Sequence, residues 1–336
     1  MYKNRVKISL ERLDQEHHGA KYMITNRIIG GSFIFGDKEK QYFLNLLFEG
    51  QSRHAYRVID YVLLDNHYHL ILEVPAPEEM SRDIVFEKWC EFKKNPEAVD
   101  PGDKVLEAYK TKIHDLSFVV GNFEQRFVQW YNHRNGRFGS LFNRFDSVII
   151  GDGHALIALM AYITLNPVRA GIVVDPAEYH WCGYALRLGK GQLIEHDIEL
   201  VKYVHRSLQL PPQIMKLPQK RQLELLWKYF RIRLLRAKPK DFHAKDGKVN
   251  GKYCCDRTMA DKLEENGKSL ELNQADHFML KLRFATKGVA IGTESFIEDV
   301  LTTCGKVLGY KRTHHSQGHN VWDHIHTLKK HRKAYI

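Results

Sequence analysis

The stretch Tyr56-Arg57-Val58-Ile59-Asp60-Tyr61-Val62-Leu63-Leu64-Asp65-Asn66-His67-Tyr68-His69-Leu70-Ile71-Leu72-Glu73-Val74 decides the fold class. Apolar, β-branched and aromatic residues fill two runs, 56–64 and 67–74, and the polar pair Asp65-Asn66 between them has turn chemistry. The spacing therefore predicts a β-hairpin. Pro75 and Pro77 close its second strand, because proline donates no ladder hydrogen bond. Upstream, residues 21–35 (KYMITNRIIGGSFIF) read as a strand interrupted by a Gly-Gly turn, and 38–47 change to helical spacing. Downstream, 78–94 read as a helix, the Asn-Pro and Asp-Pro-Gly segment at 95–103 as a loop, and 112–133 as a second helix. A Gly-, Arg- and Asn-rich loop at 134–140 precedes a short strand at 145–150. Asp152 can then cap a helix over 153–166, which Pro167 would stop. This order predicts an α+β fold with one antiparallel sheet and helices packed on it.

The 336 residues, 43% of them hydrophobic, suffice for one large domain or two ordinary ones. No apolar run is long enough for a membrane helix, and residues 1–10 lack the apolar stretch of a secretory signal. Five cysteines, Cys90, Cys182, Cys254, Cys255 and Cys304, are odd in number and show no CxxC spacing, which argues against a disulfide framework and a zinc ribbon. A cytoplasmic protein is expected. The net charge of +11 is unevenly spread: residues 1–190 carry 24 Lys+Arg and 24 Asp+Glu, and residues 191–336 carry 27 and 16. The C-terminal part thus reads as a polyanion-binding module. Within it, 216–238 place Leu223, Leu226, Trp227, Phe230 and Leu234 at helical spacing among Lys228, Arg231, Arg233 and Arg236, a basic amphipathic helix. A core-packing helix with a solvated charged face would read the same way. A Gly-Lys-Gly stretch after Leu188 marks the expected boundary, and the remainder is mostly helical in pattern.

Side chains alternate along a strand, so His67 and His69 project from one face and Tyr68 from the other. Two close imidazoles can bind one divalent ion, although His-x-His also arises by chance in a chain with 19 histidines. A second element is Ala161-Tyr162-Ile163-Thr164-Leu165-Asn166-Pro167-Val168-Arg169-Ala170-Gly171. Tyr162 and Asn166, four apart on the predicted helix, share a face. An amide oxygen from Asn166 could join two histidines around a metal, with Tyr162 beside it as a nucleophile. An ordinary helix end with a core tyrosine is the bland alternative.

These elements resemble those of a known family. Asn66-His67-Tyr68-His69 resembles the His-hydrophobe-His motif of HUH endonucleases, and residues 162–170 resemble the tyrosine helix, YIxxNPVRA, of REP-associated tyrosine transposases. The order and separation of the two match. Between them, Gly139-Ser140-Leu141-Phe142-Asn143-Arg144-Phe145 resembles the family's Gly-x-Leu-Trp-x-x-Arg-Phe, with Phe142 for the Trp and one residue fewer before Arg-Phe. Tyr179-His180-Trp181-Cys182-Gly183-Tyr184 resembles its Tyr-x-Trp-Ser-Ser-Tyr. The resemblance covers about residues 20–188; in the rest, residues 287–296 are only loosely similar to longer relatives.

The resemblance implies an IS200-like HUH domain over 1–188, of ferredoxin-like type with an antiparallel sheet, followed by a basic, mainly helical region over 189–336. It implies His67, His69 and Asn166 as metal ligands, Mg²⁺ or Mn²⁺ as the metal, and Tyr162 as the nucleophile. Arg137, Arg144 and Arg169 are candidates for phosphate contacts. The implied activity is cleavage and rejoining of single-stranded, hairpin-bearing DNA through a 5′-phosphotyrosine, with monomer and homodimer both open. Two other readings stay open: a domesticated hairpin-binding regulator with weak catalysis, and a metal hydrolase using water. The latter needs a third acidic or histidine ligand, which the helix around Tyr162 does not offer.

Overall fold

The computed structural model describes residues 19–151, 153–173, 175–189, 212–236, 288–308, 317–319 and 322–329. They fall into two compact units, drawn from residues 1–59, 63–149 and 299–314 and from residues 60–62, 150–298 and 315–336. No helix among the described residues is long and apolar enough to cross a membrane.

In the first unit, β1 (Ala20–Arg27), β2 (Arg57–Leu63), β3 (His67–Val74) and β4 (Asp146–Ile150) lie in the order β2-β3-β1-β4. The expected hairpin is present, with the Leu64 N–H donating to the His67 carbonyl at 2.9 Å across Asp65-Asn66. β1 pairs with β3 antiparallel, from Ala20 opposite Val74 to Arg27 opposite His67. The strand arrangement is mixed rather than purely antiparallel, so the expectation of an antiparallel sheet holds for such pairings and not throughout.

The face of β1 and β3 that carries Tyr68 is covered by α1 (Asp37–Arg53) and α4 (Leu116–Asn135). Asp37 and Glu39 suit the positive N-terminal end of α1, and Phe43, Leu44, Leu46 and Leu47 form its buried stripe. Phe43 meets Tyr68 at 4.9 Å and Phe123 at 5.6 Å between ring centroids, and Phe127 meets Phe35 at 5.2 Å. Truncating such a ring would cost about 3–5 kcal/mol. Glu124 of α4 accepts from Asn26 Nδ2 at 2.6 Å and from the Tyr68 hydroxyl at 2.5 Å, which satisfies both buried donors on that face.

Three expectations are corrected in this unit. The chain does not resume a strand after the Gly-Gly pair; Gly30 and Gly31, both with φ near +70°, close a short 3₁₀ turn instead. The helix expected over 78–94 is α2 (Arg82–Lys93), started by Ser81, whose side chain accepts from the Ile84 N–H. The helix expected over 112–133 is two helices, α3 (Asp103–Ile113) and α4. Asp115 separates them by accepting from the N–H groups of Ser117 and Phe118. Leu106, Tyr109 and Ile113 of α3 pack with Val85 of α2, Met80 and Ala55 in a small core.

In the second unit, β5 (Gly288–Gly292), β6 (Gln317–His319) and β7 (Trp322–Lys329) are antiparallel in the order β5-β7-β6. The helices there are α5 (Gly153–Thr164), α6 (Asn166–Arg169), α7 (Gly183–Gly189) and α8 (Gln219–Arg236); α9 (Glu294–Leu308) begins in it. The region after 188 therefore contains strands as well as the expected helices, and the boundary after Leu188 abuts residues outside the described ones. Pro167 does not stop the chain's helical course: it sits in the first turn of α6, where its missing N–H is needed by no helix bond. The cap expected from Asp152 and the polar break at 239–251 lie outside the described residues.

Asp60 and Arg187, both buried, form an ion pair at 2.9 Å, and the Arg187 guanidinium also lies 4.6 Å from the Trp227 ring centroid. On α8, Leu223, Trp227 and Phe230 are buried, as the apolar stripe predicted. The side chains of Lys228, Arg231, Arg233 and Arg236 lie outside the described residues.

Candidate active site

His67 and His69 stand on the same face of β3, with ring centroids 5.2 Å apart and planes at 88°. Each ring is held through the same nitrogen. His67 Nδ1 lies 2.6 Å from Asn66 Oδ1, and His69 Nδ1 lies 2.7 Å from Thr25 Oγ1. Asn66 Oδ1 is an acceptor only, so Nδ1 of His67 bears the proton, and its lone pair is on Nε2. The same tautomer of His69 lets Thr25 act as its acceptor. Anchoring of Nδ1 by an outer partner is how metal-binding histidines are fixed in orientation and tautomer. Burial pushes His67 down to about 4, helped by the nearby Arg27 and opposed by Asp65. A neutral imidazole is the form that ligates metal.

Arg27, opposite His67 in the ladder, and Thr25, opposite His69, share the histidine face. Farther along that face, Lys21 and Glu73 are directly opposite and form a buried ion pair at 3.0 Å. Neither Thr25 nor Asn66 was expected as a partner of the histidines. Asn66 was findable by adjacency, whereas Thr25 is identified only by the pairing of β1 with β3.

The second group of expected site residues lies in the second unit. Tyr162, half-buried near the end of α5, carries the Arg169 guanidinium 4.6 Å from its ring centroid. Asn166 opens α6, and its Nδ2 donates to the Tyr162 carbonyl at 3.3 Å, with Arg169 Nη1 3.5 Å from the same oxygen. The helical junction at Leu165 thus keeps Tyr162, Asn166 and Arg169 together, and the amide bond turns Asn166 Oδ1 away from that carbonyl. Arg137 and Arg144 belong to the first unit and are exposed; Arg137 lies 6.0 Å from the Tyr131 ring.

Two imidazole nitrogens are borderline donors, so the pair suits a first-row transition ion such as Mn²⁺ better than Mg²⁺. Among the described residues no group of three His, Cys, Asp or Glu side chains is placed to hold a metal. A metal at the histidine pair would thus need an oxygen ligand of another type, such as an amide or a phosphate.

No family model matches the chain, and no curated protein does. Among solved structures, a REP-associated tyrosine transposase bound to a REP hairpin is similar at a TM-score of 0.37 and 15% identity, over 57% of this chain and 88% of that one. A likeness at that level carries no weight for fold or function, which leaves the residues themselves as the basis for assignment.

Proposed function

We propose that the chain is a metal-dependent DNA endonuclease and strand transferase that cleaves and rejoins single-stranded, hairpin-bearing DNA through Tyr162. The observation that carries this reading is the histidine pair, with both Nδ1 atoms anchored and both rings on one strand face. The ordered motif resemblance and the Tyr162–Asn166–Arg169 cluster support it.

His67, His69 and Asn166 would hold Mg²⁺ or Mn²⁺. Such an ion, when bound, polarises a phosphate oxygen and offsets negative charge that grows at phosphorus. In the reaction the Tyr162 phenol oxygen bonds to phosphorus as the bond from phosphorus to the DNA 3′ oxygen breaks. The phenol gives up its proton, and the departing oxygen takes one up as a 3′ hydroxyl. The DNA 5′ phosphate is then esterified to Tyr162, and attack by a 3′ hydroxyl reverses the step with no other energy source. Arg169 keeps a permanent cation beside the nucleophile's ring, and Arg137 and Arg144 supply phosphate contacts.

Tyr162→Phe tests the assignment, because it removes one oxygen and leaves the ring packed. A single-stranded hairpin substrate labelled 3′ of the nick should give a denaturant-resistant adduct with the wild-type chain and none with the variant. An adduct formed by Tyr162→Phe would place the nucleophile elsewhere. Cleavage by both proteins without an adduct would favour water as nucleophile, and binding without cleavage by either would favour the regulator.

A further inference from the structure

Two loops of the first unit leave large apolar side chains in solvent. Phe138 is 95% exposed and Phe33 is 79% exposed, with Ile29 half-exposed beside the latter loop. Scattered apolar residues are ordinary on a protein surface, but these are built into one rim. The Ile29 N–H donates to the Leu141 carbonyl at 2.9 Å, Ile28 bridges Phe142, and Asn66 Nδ2 donates to the Gly31 carbonyl at 3.3 Å. On the other side, Asn132 Nδ2 donates to the Gly139 carbonyl at 2.8 Å, which ties the Phe138 loop to the end of α4. The rim therefore adjoins the hairpin turn that carries Asn66 and His67.

The same rim holds arginines over aromatic rings. Arg137 lies over Tyr131, and Arg134 lies 5.3 Å from the Trp130 centroid, whose ring also stacks in parallel with Tyr42 at 4.1 Å. Beneath them, buried Phe127 touches Trp130 at 5.8 Å and Tyr131 at 6.2 Å and fixes both. Charge is locally one-sided as well. Residues 26–34 and 131–145 contain Arg27, Arg134, Arg137 and Arg144 and no Asp or Glu, although residues 1–190 as a whole are balanced. The nearby Asp65 is engaged by Lys40.

From this juxtaposition we infer that Phe33, Phe138 and the two arginine–aromatic pairs form a platform on which unpaired bases of a nucleic acid strand stack, with the arginines on its phosphates. The inference rests on the proposed DNA activity and names the surface that holds the strand. The solvent-exposed rings of Phe33 and Phe138 suit any base, and the guanidinium groups held on Trp130 and Tyr131 suit the phosphates between them. A duplex presents no unstacked bases, so the platform discriminates against it.

The test uses the full chain and a fluorescent oligo(dT) of about 20 nucleotides, which forms no hairpin, beside a duplex of equal length, with binding read by anisotropy across a salt series. Phe33→Ala and Phe138→Ala should each weaken oligo(dT) binding about tenfold, leave duplex binding and the salt slope unchanged, and leave the melting temperature intact. Phe138→Trp should retain binding. Arg137→Ala should instead lower the salt slope by about 0.7. Wild-type affinity in both phenylalanine variants overturns the platform, as does equal loss for duplex and single strand. A change of oligomeric state in light scattering with DNA binding unaltered also overturns it, in favour of a protein interface. If the wild-type chain binds oligo(dT) through Phe33 and Phe138 but forms no adduct, the platform stands and the chemistry fails. An adduct formed while both variants bind normally gives the reverse.

Discussion

Two pairs of histidines in the first unit each include a ring that burial holds neutral, and the pairs differ in what anchors them. His54 and His114 end α1 and α3, where each Nδ1 donates to the carbonyl four residues back, Gly50 at 3.1 Å and Lys110 at 2.7 Å. The Ala55 N–H donates to the Ile113 carbonyl at 3.2 Å, so the two helix ends adjoin. Burial pushes His54 down to about 4, as it does His67, and lowers His114 too. Both have Nε2 buried without a hydrogen-bond partner among the described residues. The comparison teaches that a depressed pKa does not mark the site. His54 and His114 spend Nδ1 on backbone carbonyls that helix ends leave over, which is capping. His67 and His69 spend it on side chains, from adjacent same-face positions of one strand, with ring centroids 5.2 Å apart.

The largest expected effect separates the pairs outright. His67→Ala and His69→Ala should each abolish nicking of a hairpin-bearing strand in Mg²⁺ or Mn²⁺, with the fold intact and DNA binding largely retained. Cleavage at the wild-type rate with added metal would remove the histidines from the site. His54→Ala should do the opposite: it opens a cavity and loses the cap, costing about 2 kcal/mol or more in denaturant unfolding, with nicking per folded molecule retained. An inactive but fully stable His54 variant would erase the distinction between the pairs.

A finer effect falls on Thr25, the partner of His69. Thr25→Val keeps the shape of the side chain but removes the acceptor at His69 Nδ1. Losing such an outer partner weakens metal sites by about tenfold to hundredfold. The Mn²⁺ concentration that half-activates nicking, and the one that half-saturates a thermal-shift titration, should rise together, and Thr25→Ser should restore both. Identical midpoints in Thr25→Val would show that the hydroxyl positions nothing.

How much of this was legible beforehand depends on whether the signal is local. The hairpin at 56–74 was legible because alternation and turn chemistry sit in one continuous stretch, and the same-face placement of His67 and His69 follows from strand geometry alone. The expected pairing of Tyr162 with Asn166 also survives, because a helical course through Leu165 preserves the four-residue spacing. Thr25 was not legible, since no property of either strand states that β1 and β3 pair in the register that puts it opposite His69. The break between α3 and α4 had a signal, Asp115 as a capping residue, that the apolar pattern running through it concealed. The region after 188 was expected to be mostly helical in pattern; β5, β6 and β7 form there because they pair with one another, which no single stretch of that region states.

The smallest effect is the pH dependence that His54 lends to stability. Its folded-state pKa, about 4, lies below the ordinary value of 6.5, so the fold favours the neutral ring. Burial is the main cause, the hydrogen bond to Gly50 opposes it, and Arg53, Lys88 and Arg126 reinforce it. Above pH 6.5 neither folded nor unfolded chain protonates this ring, and its contribution is fully present. As pH falls from 6.5 toward 4 the unfolded chain takes up a proton that the folded chain refuses, and stability declines by about 1.4 kcal/mol per pH unit at the steepest. Near pH 4 the folded ring protonates as well and the decline from this group ends. Carboxylates titrate at the lower end of the window, so the quantity to measure is the difference between wild type and His54→Gln in urea unfolding at closely spaced pH values. The wild-type curve should fall more steeply between pH 6.5 and 4, and the two should run parallel above pH 7. Parallel curves throughout would mean that His54 is hydrated in the folded chain, and that the resemblance between its environment and that of His67 is only apparent.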